Sequence, residues 1–195
     1  MSEFCVVNKQ QKVNNKIQFI TLAILLLVGS TNAKNMNTKN KTNAEGQVVK
    51  HGKLVYSEIT INASPEKVWK IFTDFDAYST WNPFIRSFKG KPAVGDHVEA
   101  RLQVPGKKAM TFKPVVLQYQ PNKELRWIGK FMVSRVFDGE HTFKLRDNGD
   151  GTTTFIQYEN FRGILIPFMT KMLDEQTLSG FKLMNEKLKE RVEAL

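Results

Sequence analysis

Three polar side chains fall on strand positions that otherwise hold aromatic rings: His141, Gln157 and Glu159. Between residues 134 and 146, Phe137, His141, Phe143 and Leu145 sit an even number of residues apart. Between 152 and 163, Phe155, Gln157, Glu159 and Phe161 do the same, so each set shares one face of a strand. The intervening Asn148-Gly149-Asp150-Gly151 is turn chemistry. A turn centred on Gly149 predicts a hairpin in which Phe143 faces Phe155, Phe137 faces Phe161 and His141 faces Gln157. Glu159 is then diagonal to the imidazole. An imidazole and a carboxyl group on one apolar face can anchor the polar end of an amphipathic ligand or exchange protons as an acid–base pair. They can equally form a buried network that satisfies itself.

Other chemistry finds no support in the residues. His51, His97 and His141 lack metal-ligand spacing, and no His-Glu-x-x-His or Cys-x-x-Cys occurs, so neither a metal nor a cofactor is expected. The lone Cys5 leaves the body of the chain without a thiol nucleophile or a disulfide. Gly149-Asp150-Gly151 belongs to a hairpin rather than to a strand–helix junction, and there is no Gly-x-Ser-x-Gly elbow. The formal charge is +10, of which residues 1–33 carry +2 and the remainder +8. The lysines are scattered and no arginine-rich helix or aromatic–basic signature appears, so nucleic acid is not an expected partner. Attraction to an anionic membrane surface stays open on charge alone. The oligomeric state is not legible.

The elements that must position the polar group follow from patterning. Residues 1–33 read as an export signal: lysines up to Lys16, an apolar run Ile17–Val28, then small residues with cleavage expected after Ala33. The mature protein is expected to be periplasmic or secreted, the alternative being an uncleaved N-terminal anchor. Residues 34–52 are polar and aperiodic and read as a flexible linker. The folded domain is expected over 53–195. A first strand spans 54–61 with Val55, Ser57, Ile59 and Ile61 on one face, and Ser64-Pro65-Glu66 then opens a helix. A second short helix runs to Trp81, before Pro83. Strands are expected near 84–90, 97–104, 109–120, 123–131, 134–146 and 152–163. A helix over Leu165–Leu195 carries an apolar stripe at helical spacing, interrupted by Thr177 and Gly180. Small residues there allow close packing against a neighbour, or leave room for a ligand.

This order resembles the SRPBCC superfamily, the helix-grip fold shared by polyketide cyclase/dehydrase, START-like lipid-transfer and birch-pollen-allergen proteins. The residues that carry the resemblance are Ile61-Asn62-Ala63-Ser64-Pro65-Glu66-Lys67-Val68-Trp69 and Tyr78-Ser79-Thr80-Trp81-Asn82-Pro83-Phe84. They continue with Glu124-Leu125-Arg126-Trp127, Phe137-Asp138-Gly139-Glu140-His141 and the amphipathic last helix. The implied fold is α+β: a curved antiparallel sheet of about seven strands wrapped around the C-terminal helix, with two short helices after the first strand. The resemblance also implies an apolar cavity between sheet and helix. The hairpin residues Phe137, His141, Phe143, Phe155, Gln157, Glu159 and Phe161 are expected to line it. Trp81, Pro83, Phe84, Phe112 and Trp127 would add to the wall, and Phe168, Leu173, Thr177 and Gly180 would close it from the helix side. Three functions remain open: a non-catalytic binder or carrier of a small hydrophobic molecule, a cyclase or dehydratase using His141 and Glu159, and a partner-binding protein with a basic surface. The first leads.

Overall fold

A computed structural model describes residues 43–49, 52–104, 106–130 and 134–195. The expected export segment, its cleavage point and most of the expected linker lie outside the described residues.

Strand β2 (Gly52–Ile61) buries alternate residues from Lys53 to Ile61, as its period of two requires. Helix α1 (Pro65–Phe72) starts where proline costs no hydrogen bond, with the Ser64 hydroxyl accepting from Lys67 N at 3.5 Å. It buries Val68, Trp69 and Phe72. A 3-10 turn (Phe75–Ala77) leads into the single-turn helix α2 (Tyr78–Trp81), which ends at Asn82, before Pro83. The Asn82 carboxamide oxygen accepts from Phe84 N at 3.0 Å and Ile85 N at 2.8 Å, which turns the chain into β3.

Strands β3 (Ile85–Lys89), β4 (Glu99–Leu102) and β5 (Met110–Phe112) form a small antiparallel sheet. Strands β6 (Val115–Gln120), β7 (Glu124–Lys130), β8 (Asp138–Asp147) and β9 (Thr153–Arg162) form a meander. This sheet continues through β2 to β1 (Asn43–Val49), giving the order β1-β2-β9-β8-β7-β6.

The nine strands of the described residues exceed the expected seven for two reasons. The single strand expected over 109–120 breaks at Lys113-Pro114: proline has no N–H for a ladder, and its carbonyl instead accepts from Val98 N at 3.0 Å. Residues 43–49, expected as part of a linker, pair antiparallel with β2, with Gly46 opposite Val55. An edge strand needs only backbone groups to pair, so apolar periodicity gives no sign of it.

The C-terminal segment runs as α3 (Ile166–Met172), a π-helical turn (Leu173–Thr177) and α4 (Leu178–Ala194). Ile166, Leu173, Phe181, Met184, Leu188 and Val192 are buried, as the stripe requires. The stripe differs at Leu165 and Phe168, which are exposed because they lie on the face of α3 opposite the buried Ile166 and Leu173, and at the C-terminal Leu195, which is exposed too.

Candidate functional site

The β8–β9 hairpin sets the geometry of the polar group. Its last paired residues are Asp147 and Thr153. Within the loop, Asp147 Oδ1 accepts from Gly149 N at 2.9 Å and Asp150 Oδ1 accepts from Thr152 N at 3.0 Å. Gly149 and Gly151 have φ of 78° and 86°, values natural to glycine. The turn is thus centred on Asp150 rather than Gly149. A shift of one residue in the turn centre moves the pairing by two residues, so the faces survive and the partners change. His141 lies opposite Glu159, Phe143 opposite Gln157 and Leu145 opposite Phe155. The expected pairing of His141 with Gln157 is therefore replaced by a direct His141–Glu159 pair. Phe143 and Phe155 become diagonal neighbours at 6.3 Å, while Phe137, just before β8, still brings its ring to 5.4 Å from Phe161.

His141 is buried, and its ring stacks between Phe143 at 4.1 Å and Phe181 at 4.6 Å, with Trp127 edge-on at 5.5 Å. Its Nδ1 lies 3.8 Å from Glu159 Oε2, too far for a hydrogen bond, and its Nε2 meets no partner among the described residues. Burial pushes the imidazole pKa down to about 3, against a smaller opposing effect of Gln157. Burial pushes the Glu159 carboxyl up to about 8. At neutral pH the pair is a neutral base facing a protonated acid, which suits both proton transfer and hydrogen bonding to a neutral polar group. Gly139, opposite Phe161, makes room for the carboxyl, since a Cβ there would overlap Glu159 Oε1.

Gln157 does other work. Its Nε2 donates to Asn185 Oδ1 at 2.6 Å and to the Phe181 carbonyl at 3.1 Å, and Asn185 Nδ2 donates to Ser57 Oγ at 2.9 Å. This buried chain fastens α4 to β9 and β2, so the amide nitrogen is committed to the scaffold. Gly180 is committed as well. A Cβ there would overlap the Phe84 ring, so the small residue serves close packing and the space is filled. Thr177 lies half-buried in the π turn.

The remaining expected wall residues divide into three groups. Phe143 and Phe155 pack on Phe72 at 5.1 and 5.2 Å, and Trp127, Phe84, Phe161 and Leu173 are buried with them. Trp81, Pro83, Phe112 and Phe137 are half-buried, and the buried Trp81 Nε1 has no partner among the described residues. Phe168 faces solvent, 77% exposed, and is no part of an interior wall. It sits on the side of α3 opposite the buried Ile166 and Leu173.

Sequence reasoning missed Lys53 and Asp174. Lys53 is 3% exposed on the inner face of β2, and its Nζ donates to Asp174 Oδ2 at 2.7 Å with Oδ1 at the same distance. Asp174 reaches it from the π turn, and Gly46 of β1 lies so close that a Cβ would overlap Asp174 Oδ1. The signal was present: Lys53 has the parity of Val55 and Ser57, so the alternation extended one step earlier puts it inside. Cross-strand pairing sets Lys53 beside Phe161, Phe161 beside Gly139 and Gly139 beside Gly129. A Cβ added to Gly129 finds no described atom nearer than the Gly139 carbonyl oxygen at 4.0 Å. Among the described residues, Gly129 is therefore the one position of that row with room beside it, since the space at Gly139 is taken by the Glu159 carboxyl.

A curved sheet gripping one long helix, with a buried histidine facing a half-buried glutamate, defines a fold class that hosts several activities rather than a single one. Residues 54–193 match the family model for polyketide cyclase / dehydrase and lipid transport, and the chain belongs to that family. Among solved structures it is similar to the Zhui aromatase/cyclase from Streptomyces sp. R1128, with a TM-score of 0.59 and 12% identity over 73% of this chain and 94% of that one. A START superfamily protein from Mycobacterium smegmatis gives 0.56 and 19% over 72% and 97%. A protein from Mesorhizobium loti gives 0.55 and 19% with the same coverage. At these identities the likeness is one of fold. No curated protein matches the sequence.

Proposed function

We propose that this protein binds and carries a small hydrophobic or amphipathic molecule, lipid-like or polyketide-like, held between the inner face of the sheet and the C-terminal helix. The observation that carries the reading is the pair of buried His141 and half-buried Glu159, both uncharged and without a mutual hydrogen bond, together with the room at Gly129 on the neighbouring strand. A buried polar atom without a partner favours a ligand that supplies one. The family's lipid-transport description and the START superfamily neighbour support the same reading. Native mass spectrometry of the purified protein, followed by organic extraction, tests it through any co-purified molecule, and a fluorescent fatty-acid probe tests uptake. A protein that arrives empty and takes up no apolar probe overturns it.

A second reading is a cyclase or dehydratase. Neutral His141 would take a proton from carbon while protonated Glu159 returns one to a leaving hydroxyl, releasing water. The unpartnered His141 Nε2 and the aromatase/cyclase neighbour favour it. A His141→Phe variant that binds the probe as well as the wild type but loses turnover of a polyketide-like substrate would establish it. Export rests on the N-terminal sequence alone, and N-terminal sequencing of the protein recovered outside the cytoplasm tests cleavage after Ala33.

A further inference from the structure

An apolar lip stands on the outside of the molecule where β9 passes into α3. Ile164 is 71% exposed and Phe168 77%, with Leu165 between them also open to solvent. Helical spacing continues this stripe through Leu165 and Phe168 to Lys171, which is 81% exposed, while Ile166 and Leu173 point inward and hold the segment to the core. The segment is therefore apolar on both sides, and folding explains only the inner one. The lip is also held in place: Ile164 N donates to the Arg135 carbonyl at 3.1 Å and Leu165 N to the Val136 carbonyl at 3.2 Å. Those bonds put Arg135 beside Ile164, and Arg162 precedes it by two residues. Lys130, paired with Asp138 across the sheet, lies at the same end of the hairpin. All three side chains are exposed. Among the described residues, Asp138, which accepts from Arg135 N and Ser134 Oγ, and Glu175, 3.8 Å from Lys171, oppose these four cations. Asp174 is neutralised by Lys53.

We infer that this lip is a docking surface for an anionic phospholipid bilayer. Protruding apolar tips flanked by cations match an interface of acyl chains beneath negative headgroups, the chemistry by which peripheral proteins bind membranes. The +8 charge of the chain beyond residue 33 adds long-range attraction of the same sign. The inference concerns the outer surface and goes beyond the carrier reading. Uptake of an apolar probe in solution and binding to vesicles can fail separately.

The test uses the full chain with a Cys5→Ser change and a single new cysteine bearing an environment-sensitive fluorophore. One version carries Leu165→Cys at the lip. The control carries Asp150→Cys in the β8–β9 turn, at the far end of a ten-residue hairpin and roughly 30 Å away. Vesicles of phosphatidylglycerol and phosphatidylcholine are compared with phosphatidylcholine alone. The expected result is a blue shift at position 165 with the anionic vesicles only, weakened by salt, and no shift at 150. Adding Phe168→Asp or Lys171→Glu to the lip-labelled protein should weaken its apparent vesicle affinity roughly tenfold or more. Both side chains are exposed, so the melting temperature should not move. No shift at 165, or equal shifts at 165 and 150, overturns the inference. So does a shift that needs no vesicles and grows with protein concentration, which would make the lip an interface between copies of this chain.

Discussion

The two ends of the sheet's inner face are built on opposite plans. Toward the β8–β9 turn, Phe72 from α1 meets Phe143 and Phe155 from the hairpin, and the His141 ring joins Phe143 to Phe181 of α4. Toward the other end the same strands place Gly129 beside Gly139, a buried lysine on a π-turn aspartate, and a protonated carboxyl. The first end holds the helix in the grip by dispersion and area; the second holds polar groups whose charge state depends on burial. On the proposed function, dense packing and ligand chemistry lie toward opposite ends of one hairpin, joined by the His141 ring, and substitutions away from His141 should report mainly on one end.

The sharpest break in that comparison is Phe181→Ala. It removes the ring that His141 and Phe84 both contact, and it should destabilise by about 3–5 kcal/mol in chemical denaturation. A loss below about 1 kcal/mol would mean that this end is not the densely packed one. At the polar end the ion pair predicts an asymmetry. Asp174→Ala leaves Lys53 buried without a counter-charge and should destabilise by about 3–5 kcal/mol, whereas Lys53→Met leaves an aspartate that is already 40% exposed and should lose only about 1 kcal/mol. Equal losses from both would show that Lys53 reaches water when unpaired.

Glu159→Gln should change the pH profile of stability. A carboxyl raised to about 8 in the fold stays protonated where the unfolded chain ionises, so it lowers stability as pH rises from about 4.5 to about 8. His141, held down to about 3, lowers stability as pH falls below about 6.5. The wild type should therefore owe least destabilisation to this pair between roughly pH 4.5 and 6.5. At pH 8 the Gln variant should be the more stable by about 4 kcal/mol, and near pH 4.5 the two should coincide. Urea midpoints across that range decide it, and a constant difference would show that Glu159 is ionised in the fold.

The smallest expected change in stability comes from Gly129→Leu. In a strand it should leave the melting temperature unchanged or slightly higher, while filling the room at Gly129 and reducing fatty-acid probe uptake severalfold. Gly180→Ala is the counterpart at the packed end. Its new methyl meets the Phe84 ring and should destabilise by about 1–2 kcal/mol in spite of better helix propensity, with uptake unaffected. Uptake lost by Gly180→Ala and spared by Gly129→Leu would put the ligand at the other end.

Much of this was legible in one dimension. Ser64-Pro65, the alternation from Val55 to Ile61 and the stripe through Phe181, Met184, Leu188 and Val192 each state a local preference that the fold obeys, because capping, strand period and helical period act over a few residues. Alternation also put His141 and Glu159 on one face. Their direct pairing was decided elsewhere, by which residue of Asn148–Thr152 sits at the turn's centre, and two glycines with positive φ moved that centre to Asp150. The strand at 43–49 carries no apolar signal, because an edge strand is specified by the backbone it joins. Whether Gly180 makes space or closes it depended on Phe84, 96 positions away in sequence and in contact only once the chain was folded. The period of the chain determined which way each side chain points; what it meets there, and whether it is charged, is a property of the three-dimensional neighbourhood alone.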